Sequence, residues 1–232
     1  MQYIKDFLNE FPNFKIIKNT TDKIILSGIF KKFLEYNGRY IFKEILLKIE
    51  ISTDYPISLP KIYDTKNILP ENYHKNPDKS LCLGTEVEIR KILFPDYSLK
   101  IWLEKCVQPF IFSSLYFEKY GSFIFGESEH GSKGEINSIK DFLGFSDLRE
   151  TFLFTNFILF RKYRRKLFRK KRKKKKYDCN FCNICNKKDF KCNYFSKLEK
   201  LNLYFNNEVL KYLKSVVANL ELEEKNYARY KK

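Results

Sequence analysis

The 232-residue sequence holds one Met, one Trp, two His, eight Gly and seven Pro. So few glycines leave no Gly-x-Gly-x-x-Gly fingerprint, and there is no Gly-x-x-x-x-Gly-Lys-Ser/Thr loop. A Rossmann dinucleotide site and a Walker-type ATP site are both excluded. No apolar stretch reaches the ~20 residues that cross a bilayer; the nearest, Thr151 to Phe160, has about half that length. Lys5 and Asp6 fall where a signal peptide needs its apolar core, so the sequence predicts a cytoplasmic protein without a transmembrane segment. What is abundant is apolar and aromatic residues, 44% and 17% of the chain, which excludes a disordered polymer. Lys and Arg outnumber Asp and Glu by 45 to 28, for a net charge of +17. Thirteen of those positive charges lie in Arg161–Lys176, so the rest of the chain is nearly balanced.

Ile4, Phe7, Leu8 and Phe11 share one helical face, and Pro12 closes that helix. Strand character follows over Phe14 to Lys18, Lys23 to Leu34 and Tyr40 to Ser52. In the last, Ile45, Leu47, Ile49 and Ile51 alternate with polar residues. Tyr36-Asn37-Gly38-Arg39 predicts a hairpin turn, since Asn and Gly accept positive φ. From Asp54 to Asp96 five prolines leave little room for regular structure, and so long an irregular stretch points to function. Helical spacing returns at Ser98 and runs toward Leu115. After a Gly-rich patch, Gly121 to Gly134, further helices are expected near 135–143 and 147–170. Asp147/Glu150 and Ser196/Glu199 have capping-box spacing. An apolar stripe runs from Val209 to Leu220.

The irregular stretch holds Tyr55-Pro-Ile-Ser-Leu-Pro-Lys-Ile, then Tyr73-His-Lys-Asn-Pro-Asp-Lys-Ser-Leu-Cys82-Leu-Gly. A Tyr-Pro-x-x-x-Pro segment ending a meander, then a His and a Ser-Leu-Cys-Leu, resembles the ubiquitin-conjugating enzymes over roughly residues 1 to 120. The resemblance implies an α+β fold: an N-terminal helix, an antiparallel four-stranded meander and C-terminal helices. It also implies that Cys82 is the cysteine that accepts an acyl group as a thioester and releases it to an amine. A thiol suits that role, being strongly nucleophilic even as a minor thiolate fraction. His74 and Asn76 match the family's His-Pro-Asn, whose Asn steadies the oxyanion, and both are carried as catalytic candidates. Lys75 stands in place of the Pro, and Asn76 lies only six residues before Cys82, closer than in the eukaryotic enzymes. For His74 a structural hydrogen-bonding role is favoured over that of a general base. The alternative for Cys82 is a small buried hydrophobe, the reading that fits Cys106 beside Val107.

Phe125-Gly-Glu-Ser-Glu-His130-Gly-Ser-Lys-Gly134 is similar to a segment of the stand-alone conjugating-enzyme-like proteins of bacterial antiphage signalling operons (short type II CBASS systems). That resemblance implies a cGAS-like nucleotidyltransferase as partner, its C-terminus handled as ubiquitin would be. Taken by themselves, the glycines form a flexible turn. They do not form a P-loop, because Ser132-Lys133-Gly134 stands where Gly-Lys-Ser/Thr should. With no motif for activating a carboxylate, the chain is expected to rely on a separate activating enzyme.

Cys179, Cys182, Cys185 and Cys192 place four thiols within 14 residues. Cys-x-x-Cys steps suit tetrahedral zinc, the favoured reading; an iron–sulfur cluster and four unliganded thiols remain open. Arg161–Lys176 could be a solvated helix end, a phosphate-binding run or a contact to an anionic membrane, and a non-specific polyanion or acidic-partner contact is favoured. The expected organisation is a conjugating-like domain over 1–145, an amphipathic then polybasic helical linker over 146–176, a Cys-rich knuckle over 177–195 and a C-terminal helical segment over 196–232. Rival functions are a conjugating-fold adaptor with an idle cysteine, and a zinc-knuckle polyanion binder.

Overall fold

The computed structural model describes residues 2–71, 73–125, 129–159 and 193–230. The chain divides into two compact units, residues 1–128 and 129–232.

The first unit opens with α1 (Gln2–Glu10), which turns Ile4 and Phe7 inward. Phe7 meets Phe11 and Phe14 with ring centroids 4.9 and 5.4 Å apart, so the helix is fastened where the chain enters the sheet. Four strands follow: β1 (Phe14–Asn19), β2 (Lys23–Tyr36), β3 (Arg39–Ser52) and β4 (Lys61–Asp64). They form one antiparallel sheet in the order β1-β2-β3-β4, a meander. The β2–β3 register runs unbroken from Lys23 opposite Ser52 to Tyr36 opposite Arg39. Asn37 (φ 50°) and Gly38 (φ 71°) make the tip, the two successive positive φ values that a two-residue hairpin matched to strand twist requires. Ile45, Leu47, Ile49 and Ile51 all point inward, at most 1% exposed, as their alternation predicts.

The proline-rich stretch is more ordered than its composition suggests. It contains β4 and α2 (Glu86–Leu93). The helix fits between Pro77 and Pro95 because Thr85 caps it: Thr85 Oγ1 accepts from the Glu88 N–H, and Glu88 Oε2 returns a bond to the Thr85 N–H at 2.9 Å. Next come α3 (Leu99–Trp102), a π-helical turn (Leu103–Val107) and α4 (Gln108–Tyr120). Pro109 has no N–H to give the carbonyl one turn back, and the helix widens just ahead of it. Gly121 (φ 67°) ends α4 in the left-handed cap conformation, its N–H bonded to the Phe117 carbonyl at 2.8 Å. Trp102, Leu103, Val107 and Ile111 from this helical run, all without exposed surface, complete the core with the inner face of the sheet.

The second unit is helical: α5 (Gly131–Leu143), α6 (Leu148–Leu159), α7 (Asn193–Tyr204) and α8 (Val209–Tyr230). Its core includes Ile139, Phe154, Tyr194, Leu201 and Leu213. Two expectations need correction. The last glycines of the Gly-rich patch are not in a loop: α5 starts at Gly131, with Ser132 and Gly134 buried in its first turns. Ser196 is not a cap, because α7 starts three residues earlier. Asp147 does accept the Glu150 N–H at 2.7 Å, but Glu150 Oε2 answers to the Ser146 N–H rather than to Asp147. Among the described residues no helix is long and apolar enough to cross a membrane.

Candidate active site

After β4 the chain turns back on itself in a small flap, residues 74–82. Lys75 and Leu81 pair as an antiparallel bridge, and the Cys82 N–H donates to the His74 carbonyl at 2.8 Å. Asn76-Pro77-Asp78-Lys79 makes the tip, closed by the Lys79 N–H on the Asn76 carbonyl at 2.8 Å. Pro77 presets the first corner, and Lys79 takes the left-handed conformation (φ 65°) that returns the strand. Asp78 Oδ1 accepts from the Ser80 backbone at 3.1 Å and the Ser80 hydroxyl at 2.6 Å, an Asx turn that stiffens the tip. Buried Leu81 anchors the returning strand, its N–H on the Ile62 carbonyl of β4 at 2.8 Å.

Cys82 follows that anchor and is half-buried, whereas Cys106 in the π-turn is buried. Burial pushes the Cys106 thiol up to about 12, so it is protonated and enclosed. Cys82 instead lines a groove of about 470 Å³, together with Asn76, Asp78, Ser80 and Lys61. Leu83 and Gly84 (φ 127°) carry the chain from it into the Thr85 cap.

Asn76 is thus brought to the groove of Cys82, and its Nδ2 donates to Ser80 Oγ at 3.0 Å. The His74 ring stands edge-on to Tyr73 at 4.5 Å and to Phe123 at 5.6 Å. It joins an aromatic cluster in which Tyr73 gives its hydroxyl proton to Ser113 Oγ at 2.7 Å. His74 also meets Cys82 through its backbone carbonyl.

Two further residues support the site without a plain signal in the sequence. Lys61, on β4, forms an ion pair with Asp78 Oδ2 at 2.6 Å. The ammonium, then the Ser80 bonds, hold the Asp78 carboxyl down at about 2. Arg90, on α2 and 1% exposed, pairs with Glu86 and donates to the Pro56 and Ile57 carbonyls at 3.0 and 2.6 Å. It ties the Tyr55-Pro56 corner to the helix that follows the cysteine. Tyr55 adds a second tie, its hydroxyl on the Tyr97 carbonyl. The Asn-Pro-Asp-Lys turn and the Thr85-x-x-Glu88 box are readable by residue type; the Asp78 partner of Lys61 and the Pro56 and Ile57 carbonyls that Arg90 reaches lie too far along the chain to be read.

Cys179, Cys182, Cys185, Cys192 and the run Arg161–Lys176 lie outside the described residues, as do Gly126–Ser128. Among the described residues no three His, Cys, Asp or Glu side chains gather as a metal site. No protein-family model, curated protein or solved structure matches the chain.

Proposed function

We propose that the chain is a ubiquitin-conjugating-like acyl transferase. Cys82 takes the C-terminal acyl group of a partner protein as a thioester and passes it to an amine. The observation that carries this reading is the contrast between the two described thiols. Cys82 stands at the edge of an open groove on a stiff flap, and Cys106 is sealed in the core. The setting supports it: a helix, a four-stranded antiparallel meander, a flap bearing the cysteine, then helices. In loading, the Cys82 sulfur bonds to the carbonyl carbon while the donor's leaving group departs. In transfer, the amine nitrogen takes that carbon and the sulfur leaves as thiol. Asn76, in the same groove, offers an amide donor to the oxyanion in both steps. The partner follows from the resemblance in residues 125–134: a cGAS-like nucleotidyltransferase in antiphage defence, loaded by a separate activating enzyme.

The test is reconstitution with that nucleotidyltransferase and its activating enzyme, followed on non-reducing gels. A thiol-cleavable adduct should form, vanish in Cys82→Ala, become a thiol-stable ester in Cys82→Ser and persist in Cys106→Ala. An adduct unchanged in Cys82→Ala refutes the assignment. A second reading, an adaptor with an idle thiol, draws on Asn76, whose Nδ2 is already engaged by Ser80. It predicts that the partner binds equally well to Cys82→Ala and that no adduct forms.

A further inference from the structure

The groove beside Cys82 contains an amine of the chain itself. Among the described residues that line it, only Lys61 carries one. β4 and the returning strand of the flap are hydrogen-bonded through the Leu81 N–H and the Ile62 carbonyl, so Lys61 and Cys82 each adjoin one end of the same bond. A thioester is held for an amine, and an amine on a flexible four-carbon stem in the same groove competes with any external acceptor. Lys61 does not lie loose there: its ammonium sits 2.6 Å from Asp78 Oδ2, and Asp78 is itself fixed by two bonds from Ser80. The carboxylate raises the Lys61 pKa, and only the unprotonated amine is a nucleophile.

Resting on the thioester reading above, we propose that Lys61 is a self-acylation site. Its ion pair with Asp78 restrains it from taking the acyl group off Cys82 before an external amine arrives. In the self-acylation step the Lys61 nitrogen bonds to the thioester carbonyl carbon, the carbon–sulfur bond to Cys82 breaks, and the amine proton passes to solvent. The products are an amide on Lys61 and a free Cys82 thiol; no oxidant or further co-reactant takes part. A chain acylated this way still has its thiol, but the groove is filled by a permanent adduct, so the ion pair protects turnover.

The test uses the full chain and a short glycine-ended peptide thioester of mercaptoethanesulfonate, which loads accessible thiols by exchange. Hydroxylamine cleaves a thioester and spares an amide, so peptide mass mapping before and after treatment separates Cys82 loading from Lys61 acylation. Asp78→Asn keeps the size of the tip and an acceptor for Ser80 but removes the charge. It should raise the rate of Lys61 amide formation roughly two- to fivefold, the span that an exposed ion pair of about 0.4–1 kcal/mol supports. In the unmutated chain, moving from about 0.1 M to about 1 M salt shortens the screening length from ~10 to ~3 Å and should act in the same direction without a substitution. Lys61→Arg should carry the Cys82 thioester and no amide at position 61. Cys82 loading with no faster amide formation in either Asp78→Asn or high salt overturns the inference and leaves the thioester reading intact. Lys61 amide that persists in Cys82→Ala overturns it too, since the acyl group then arrives directly. No labile adduct on Cys82 in any variant defeats the thioester reading, and this inference with it.

Discussion

Asp78 is the residue on which the flap's order turns, and its titration sets a pH limit. Its carboxyl is held at about 2 in the folded chain, by the Lys61 hydrogen bond first and the Ser80 bonds next, against an ordinary value near 4. A depressed folded pKa means that the stabilisation is complete above the unfolded value and is lost as pH falls through the folded one. The flap should therefore keep its order at pH 5 and above and loosen between about pH 4 and 2. Amide hydrogen exchange at Ser80 and Cys82 is the measurement: protection should fall in that window in the unmutated chain, and Asp78→Asn should lack the transition. The sequence shows Asp78 as a turn residue, because Asn-Pro-Asp-Lys is turn chemistry. It does not show the cation across from it, 17 positions earlier, since that pairing exists only once β4 and the flap lie side by side.

Among the elements, α2 shows where sequence reading stops short. Proline density argues against regular structure from Asp54 to Asp96, yet Thr85 and Glu88 cap an eight-residue helix inside that span. Local capping outweighs a regional composition signal because Pro77 and Pro95 lie outside the helix and cost it nothing. The meander behaves in the opposite way: the period-2 alternation of β3 and the Asn-Gly tip are local, and the structure follows both. α2 is held to the preceding corner by Arg90, which gives a stability prediction. Arg90→Met leaves the Pro56 and Ile57 carbonyls without their donor and should cost about 2–4 kcal/mol. Thr85→Ala, which removes the cap, should cost about 1 kcal/mol. Denaturant unfolding of both variants checks the order; a Thr85→Ala cost exceeding that of Arg90→Met would contradict it.

For the molecule as a whole, the two units have separate cores. The sheet, α1 and the helices up to Tyr120 form a core drawn entirely from the first unit. Residues 1–128 should therefore fold alone, with one cooperative thermal transition and Cys82 as reactive as in the full chain. Non-cooperative melting of that fragment would show that its core needs residues from the second unit. The sequence makes the general class legible, because a helix followed by alternating strands and then helices is a succession of local patterns. The start of α5 is not legible: a glycine-rich patch suggests a loop through Gly134, but the helix begins at Gly131, and the Ser132 N–H meets Glu223 Oε1 at 3.2 Å.

The account depends on one thiol being open to an incoming carbonyl while the other described thiol is closed. Timed alkylation of the native chain with iodoacetamide at pH 8, read by peptide mass mapping, measures that difference directly. Exposure favours Cys82, and a thiol at about 12 leaves Cys106 some four decades short of full ionisation at that pH. The prediction is modification of Cys82 within minutes and of Cys106 only after denaturation. Equal rates, or Cys106 reacting first in the folded chain, would contradict the assignment of Cys82 as the acyl acceptor.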